Sequence, residues 1–553
     1  MLESYQVEHN SQNIYFRSIV GAAEAGSRLR LGIRIRTFEP IHQVLVRLWQ
    51  DQTGERLIPL ETKDGQNEQK FYTAWINLPD YGCLVWYYFI ITAESGTYFY
   101  GNNAEMLGGV GTLSTEAPES YQITIYNKGA RTPDWFKNAV MYQIFPDRFA
   151  RSGDTIVRKK GAVIRADWTD DPMYLKDPDT KEIIAYDFFG GNLRGVMEKL
   201  DYLKSLGISC IYFNPVFESE SNHHYDTGDY HKIDPVLGDI EDFRALVTAA
   251  EERGIRIILD GVFSHTGSNS IYFNRQHQYS SLGAYQSKES PYYSWYHFRN
   301  YPNEYDCWWD FDTLPNVNET DPAYMDFVIT GKDSVLHHWM NEGIAGWRLD
   351  VIDELPPTFS KTFFAELKKR NPDAVMIGEV WEDASNKVAY GTPREYLSGS
   401  EMDSAMNYPL RTMMLDFLTG AVDGRQTARR LASQIENYPK ENLYAMMNLI
   451  GSHDVQRAIT VLAGVPYYEG MPAIEQSRVR MTPEQFDLGS RRLLMATLWQ
   501  MTYPGVPSVY YGDEIGMEGF KDPFNRRPYD WVHGNKEIRS WFERFIAIRN
   551  END

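Results

Sequence analysis

Ile344-Ala345-Gly346-Trp347-Arg348-Leu349-Asp350 is the stretch on which the reading of this chain turns. It follows the helix-stopping pair Glu342-Gly343, is apolar apart from one arginine, and ends on a carboxylate. Such a run suits a buried parallel strand that delivers an acid to its C-terminal edge, where barrel enzymes keep their chemistry. Arg348 stands two residues before Asp350, so both side chains leave the same face of a strand. A guanidinium beside a carboxylate favours the ionised form, which a nucleophile needs at neutral pH. Taken alone, the segment reads equally well as a structural Arg–Asp pair at a strand end.

Further segments repeat the pattern. Ala374-Val375-Met376-Ile377-Gly378-Glu379 is another apolar run closed by an acid, and Asn448-Leu449-Ile450-Gly451-Ser452-His453-Asp454 is a third. Ile255-Arg256-Ile257-Ile258-Leu259-Asp260 belongs to the same series and is followed by His265. If such strands close a barrel, their carboxylates converge at one rim.

The surrounding sequence alternates strand and helix. Val140 to Pro146 reads as a first strand, Ser209 to Phe213 as a second and Ile255 to Leu259 as a third. Between them, Val196, Leu200 and Leu203 fall on one helical face before Gly207, as do Phe243, Leu246, Val247 and Ala250 before Gly254. Later strands end at Asp350, Glu379, about Met406, Ile450 and Tyr511, and Ile538, Trp541, Phe542, Phe545 and Ile548 make a last apolar helical face. This alternation predicts an α/β fold with a parallel β/α architecture. From Ser264 to about Asp321 it breaks into a long polar and aromatic connection containing Tyr292, Tyr293, Trp295, Trp308 and Trp309, and so long a connection is usually functional.

Residues 1–128 read differently. Ser27 to Arg36 alternates polar and apolar with period two, and Gln43–Trp49, Lys70–Trp75, Leu84–Ile91 and Gln122–Tyr126 are further short strands. The pattern predicts a β-sandwich.

The motifs Asp260-Gly-Val-Phe-Ser-His265, Gly346-Trp-Arg-Leu-Asp350, Gly378-Glu-Val-Trp381 and Gly451-Ser-His-Asp454 together resemble the α-amylase family of glycoside hydrolases over about residues 130 to 553. Within it the chain looks most like the neopullulanase, cyclomaltodextrinase and maltogenic amylase branch. The resemblance implies a (β/α)8 TIM barrel over residues 129–553, an N-terminal β-sandwich over 1–128 and a small subdomain inserted after barrel strand 3, at about 264–321. The family's usual C-terminal β-domain has no room in this sequence. In roles, the resemblance implies Asp350 as nucleophile, Glu379 as general acid and then base, and Asp454 as the group favouring a distorted, oxocarbenium-like sugar. Retaining glycosidases need two carboxylates about 5–5.5 Å apart, with the acid protonated longer than the nucleophile, and Arg348 beside Asp350 would supply that asymmetry. His265 and His453 match the family's substrate-binding imidazoles, and Tyr225 matches the aromatic platform under the reacting sugar. Arg457 matches a residue that grips a hydroxyl, and Asp260 is expected to be a hydrogen-bonding support.

The sequence also departs from the branch. Val351-Ile-Asp-Glu354 replaces the usual Ala-Asn-Glu, and Glu382 stands where the branch often has His. Both border the position that accepts the leaving sugar. Ser264 replaces the Asn that many amylases use for calcium, and the loop Ala150-Arg-Ser-Gly-Asp154 after Asp-Arg-Phe149 is poor in oxygen ligands. No cofactor or metal is therefore expected.

Composition narrows the function classes. The net charge of −21 over 553 residues argues against nucleic acid or an anionic membrane as partner and suits a neutral glucan. Aromatic residues make up 14% of the chain, which suits stacking on sugar rings. Three widely spaced cysteines (Cys83, Cys210, Cys307) give no disulfide framework. The N-terminus has no basic region followed by an apolar core, and no run approaches the ~18 apolar residues that would cross a membrane. A cytoplasmic enzyme is the resulting expectation, with the sandwich supporting a homodimer by resemblance. The leading function is hydrolysis of α-1,4, and also α-1,6, glucosidic bonds in maltodextrins, cyclodextrins or pullulan. Its alternatives are a glucanotransferase on the same substrates, or a non-catalytic amylase-like binding protein; the complete trio Asp350, Glu379 and Asp454 argues against the last.

Overall fold

The computed structural model describes residues 2–63, 69–153, 159, 161–176 and 183–552. Asp154, the only carboxylate of the loop Ala150–Asp154, lies outside the described residues. The chain forms two compact units. One comprises Pro133–Trp381, Ser404–Thr419 and Ala445–Asp553; the other comprises Met1–Thr132, Glu382–Asp403 and Gly420–Tyr444.

The first of these holds an eight-stranded parallel sheet. Its strands are β1 (Met141–Ile144), β2 (Cys210–Phe213), β3 (Arg256–Gly261), β4 (Gly346–Leu349), β5 (Val375–Gly378), β6 (Ser404–Ala405), β7 (Met447–Leu449) and β8 (Val506–Tyr510). Each pairs with the next in chain order, β8 pairs back onto β1, and a parallel bridge Met406–Met447 joins β6 to β7, which closes the barrel. Both faces of each strand are covered, so β4 and β5 are buried at every position, as apolar runs in a parallel sheet should be. Inside, Met141, Cys210, Tyr212, Ile258, Val375, Ile377, Met447, Leu449 and Val506 pack into one core. Gly346 is required where it stands, because a Cβ there would collide with the Val375 carbonyl oxygen of the neighbouring strand.

The last helix, Lys536–Glu551, buries Ile538, Phe542 and Ile546. Of the apolar face expected there, Trp541 and Ile548 remain 37% and 47% exposed. The buried stripe keeps the strict i, i+4, i+8 spacing, and the outlying residues fall beside it.

The connection after β3 carries little regular structure. A 3-10 turn (Tyr293–Trp295), a two-stranded ribbon (Phe298–Asn300 with Glu304–Tyr305) and a second 3-10 turn (Trp308–Asp310) are tied together by ring contacts such as Phe273–Tyr305 at 4.7 Å. The segment returns to the barrel rim through the bridge His265–Asn316.

The second unit is the sandwich with two additions. One sheet runs in the order Val7–Glu8, Arg28–Arg36, Gln69–Asn77, Glu61–Lys63. In the other, Cys83–Ala93 pairs along one edge with Ile41–Gln50 and along its second edge with Tyr121–Tyr126 and then Gly96–Gly101. Leu29, Leu31, Ile33, Ile35, Val44, Val46, Tyr87 and Phe89 fill the space between the sheets. The segments Glu382–Asp403 and Gly420–Tyr444, expected as part of the barrel, belong to this unit. Polar contacts explain why. Arg17 donates to Glu436 Oε1 at 2.8 Å, with 1% and 3% of the two side chains exposed, and Gln122 Nε2 donates to Ser385 Oγ at 3.0 Å. Hydropathy periods in the sequence carry no trace of such partners.

Candidate active site

The carboxylates come together because parallel strands of one register lift them to the same rim. Asp260 of β3 lies directly opposite Arg348 of β4, and Arg348 opposite Ile377 of β5. Asp350 follows β4, Glu379 follows β5, and Asp454 lies on the loop after β7. All sit at strand C-terminal ends, the functional face of such barrels.

Arg348 is the hub. Its Nη1 donates to Asp260 Oδ1 at 2.8 Å and Oδ2 at 3.0 Å and to Asp350 Oδ1 at 2.9 Å, while Nη2 donates to Glu379 Oε2 at 2.5 Å. The expectation that Arg348, by standing beside Asp350, sets the two acids apart is corrected by this geometry: one fully buried guanidinium is shared among three carboxylates. Burial pushes the Asp350 carboxyl well above the usual range, Arg348 opposes this, and Glu379 and Asp260 add to it. Burial and then the Glu379 charge push Asp454 up to about 7, although its side chain keeps 28% of its surface open. What sets Glu379 apart is its own partners. The Val351 N–H reaches Oε2 at 2.9 Å, and the Trp381 indole N–H reaches Oε1 at 3.0 Å. Trp381 is itself stacked on Tyr408 at 3.8 Å and 8°.

Around this hub the other expected residues take different places. Tyr225 donates its hydroxyl hydrogen to Asp260 Oδ2 at 2.9 Å and accepts from Asn214 Nδ2 at 3.0 Å, and its ring lies parallel to that of His453 at 5.4 Å. The Gln143 amide faces both Asn214 Oδ1 at 3.0 Å and His453 Nδ1 at 2.9 Å, so Nδ1 accepts. The ring hydrogen of His453 is then on Nε2, 2.5 Å from the Tyr225 hydroxyl and 3.2 Å from Asp454 Oδ2. Burial, helped by Arg526 and Arg348, holds His453 well below the usual histidine range, which keeps it neutral. His265 is also buried and is lowered to about 4; its Nε2 meets the Tyr225 carbonyl at 3.1 Å and its Nδ1 meets Ser264 Oγ at 3.0 Å. His265 thus braces Tyr225 from behind. Arg457 is not brought to the cluster. Its Nη1 donates to the Tyr511 carbonyl and to Asp513, and its guanidinium lies over the rings of Tyr510 and Tyr511 at 4.3 and 4.7 Å. With its side chain fully buried, it supports the loop after β8.

Several members of the site were missed in the sequence. Gln143 and Asn214 carried a signal, since a polar side chain within or just after an apolar strand must find a partner when buried. Arg526 carried none. It ends a short 3-10 turn, Phe524–Arg526, with no hydropathy period to mark it, yet its Nε donates to the His453 carbonyl at 3.0 Å and its Nη2 lies 3.8 Å from Asp454. Among the described residues no group of three or more His, Cys, Asp or Glu is arranged to hold a metal, and no helix is long and apolar enough to cross a membrane.

Comparison with known proteins places the chain in a family. Residues 143–552 match the model of the α-amylase catalytic domain. An amylopullulanase of Thermoanaerobacter thermohydrosulfuricus is 37% identical over 99% of this chain and 39% of its own length. Neopullulanase 2 of Thermoactinomyces vulgaris is 33% identical over 76% of this chain and 64% of its own. The chain thus spans about two fifths of the first relative and just under two thirds of the second. Among solved structures, a cyclomaltodextrinase aligns with a TM-score of 0.65 at 27% identity, covering 100% of this chain and 85% of that one. With a closed barrel, the acids at its C-terminal rim and a family match over most of its length, this chain belongs to the α-amylase family of glycoside hydrolases.

Proposed function

We propose that the chain hydrolyses α-glucosidic bonds, α-1,4 and also α-1,6, in maltodextrins, cyclodextrins or pullulan, through a covalent glycosyl-enzyme. The observation that carries this reading is the grip of one guanidinium on both Asp350 and Glu379, at 2.9 and 2.5 Å. Both carboxylates reach one guanidinium, which favours the close spacing that a displacement on the protein needs. In the first step an Asp350 oxygen bonds to the anomeric carbon, the glycosidic C–O bond breaks, and the leaving oxygen takes a proton from Glu379. In the second, water gives its proton to Glu379 and its oxygen replaces Asp350. Tyr225 and His453 supply a flat ring and a neutral N–H donor beside the reacting sugar, and Asp454 accepts from its hydroxyls.

Calcium has no part in this reading. The Ser264 hydroxyl is engaged with His265, and Ala150 to Gly153 bring no carboxylate. A cytoplasmic setting fits the free thiols of Cys83, Cys210 and Cys307. A homodimer formed through the sandwich unit fits its exposed Trp49 and Leu57. The test is incubation with maltoheptaose and with a slow 5-fluoro-glucosyl fluoride. Reducing ends released from the first, and a glycosyl adduct on the Asp350 peptide from the second, are expected. Turnover with no adduct would overturn the covalent route, and no reducing ends would overturn the hydrolase.

A further inference from the structure

The loop that begins at Asp350 also reaches away from the carboxylates. Val351 has φ of 32°, a left-handed conformation costly for a β-branched residue, and this aims its N–H at Glu379. A 3-10 turn, Ile352–Glu354, follows and ends on a carboxylate that takes up two indoles. Glu354 Oε2 accepts from Trp308 Nε1 at 2.5 Å, and Oε1 accepts from Trp309 Nε1 at 2.8 Å. The indoles lie parallel, 4.7 Å apart at 5°. The inner one, Trp308, is 5.2 Å from the ring of His265, which braces Tyr225. The outer one, Trp309, is 68% exposed.

Burial does not explain this arrangement. Trp309 and Asp310 both hold positive φ, at 48° and 63°, so the backbone is strained in order to present an indole to solvent. Tryptophans used for packing are mostly covered, and here a carboxylate fixes both ring planes while one face stays open. The result is a rigid apolar plate one step outward from the reacting centre, tied through Val351 to the side of the site where Glu379 stands.

Resting on the hydrolase reading above, we propose that Trp308 and Trp309 form a stacking platform for the sugar rings on the Glu379 side of the scissile bond, the part of the glucan that leaves. Trp309 is a specificity determinant for that part, and Glu354 is a positioning residue that acts through the indoles. The test compares maltoheptaose with α-maltosyl fluoride, whose leaving fluoride gives the platform nothing to hold. Trp309→Ala lowers kcat/KM for maltoheptaose at least tenfold, mainly through KM, while the value for α-maltosyl fluoride falls less than threefold. Trp309→Phe restores the maltoheptaose value to within threefold of wild type. Glu354→Gln raises KM for maltoheptaose three- to tenfold, again with a smaller change on the fluoride. Equal losses on both substrates, or an unchanged maltoheptaose value in Trp309→Ala, overturn the platform while leaving the hydrolase standing. A wild-type chain inactive on both substrates overturns the hydrolase reading itself.

Discussion

Asp350 and Glu379 share a guanidinium, so their roles separate through what else each one touches. Asp350→Asn removes the attacking oxygen while keeping the shape and the contact to Arg348. Turnover is expected to drop to about a thousandth or less, with maltoheptaose binding retained. Activity within tenfold of wild type, measured by reducing-end release, would reject the assignment. Glu379→Gln keeps the shape and one acceptor oxygen, which serves either Val351 or Trp381, but has no proton to give. It should slow maltoheptaose about 10²–10⁴-fold and a dinitrophenyl glycoside far less, since that leaving group needs no acid. Equal losses on the two substrates would mean that another group protonates the leaving oxygen.

Elements carry the site because their short, buried strands are held in register by packing on both sides. The helix Lys536–Glu551 is one of the covers, and its stripe offers an internal control. Phe542 is 0% exposed and Trp541 37% exposed on the same helix. Phe542→Ala is expected to cost about 3–5 kcal/mol through the cavity it leaves. Trp541→Ala, which loses half-exposed contacts with Arg544 at 4.9 Å and with the Phe545 ring at 5.6 Å, should cost about 1 kcal/mol. Urea melts of the two variants would check this, and equal shifts in midpoint would show that the stripe is not what holds the helix.

At the scale of the whole molecule, the acid cluster opposes stability. Burial and the Glu379 charge hold Asp454 at about 7 against its ordinary 3.8. A carboxyl raised by folding contributes stability that is fully present below about 4 and is lost as pH climbs through about 7. Asp454→Asn removes this titration. The Tm of the variant relative to wild type should therefore rise between pH 5 and pH 8, by on the order of 1–2 °C given the partial solvent screening of the side chain. A difference in Tm that stays flat across this range would mean that Asp454 does not carry the strain.

Local rules were sufficient to read the strands closed by Asp260, Asp350 and Glu379, the helical stripes between them and the alternating strand Arg28–Arg36, because apolar period and strand-end acids are properties of neighbouring residues. The closed barrel followed from their order. Tertiary structure alone decided which groups meet. It shares Arg348 among three carboxylates, turns Arg457 away toward Asp513, brings Arg526 to His453 and assigns Glu382–Asp403 and Gly420–Tyr444 to the sandwich unit. Apart from Arg348–Asp350, only two residues apart and legible locally, those pairings span tens to hundreds of residues, and each is set by the desolvation of a charge that must find a partner wherever the fold places one. Periodicity records which face of an element is buried, but not which distant charge lies against it.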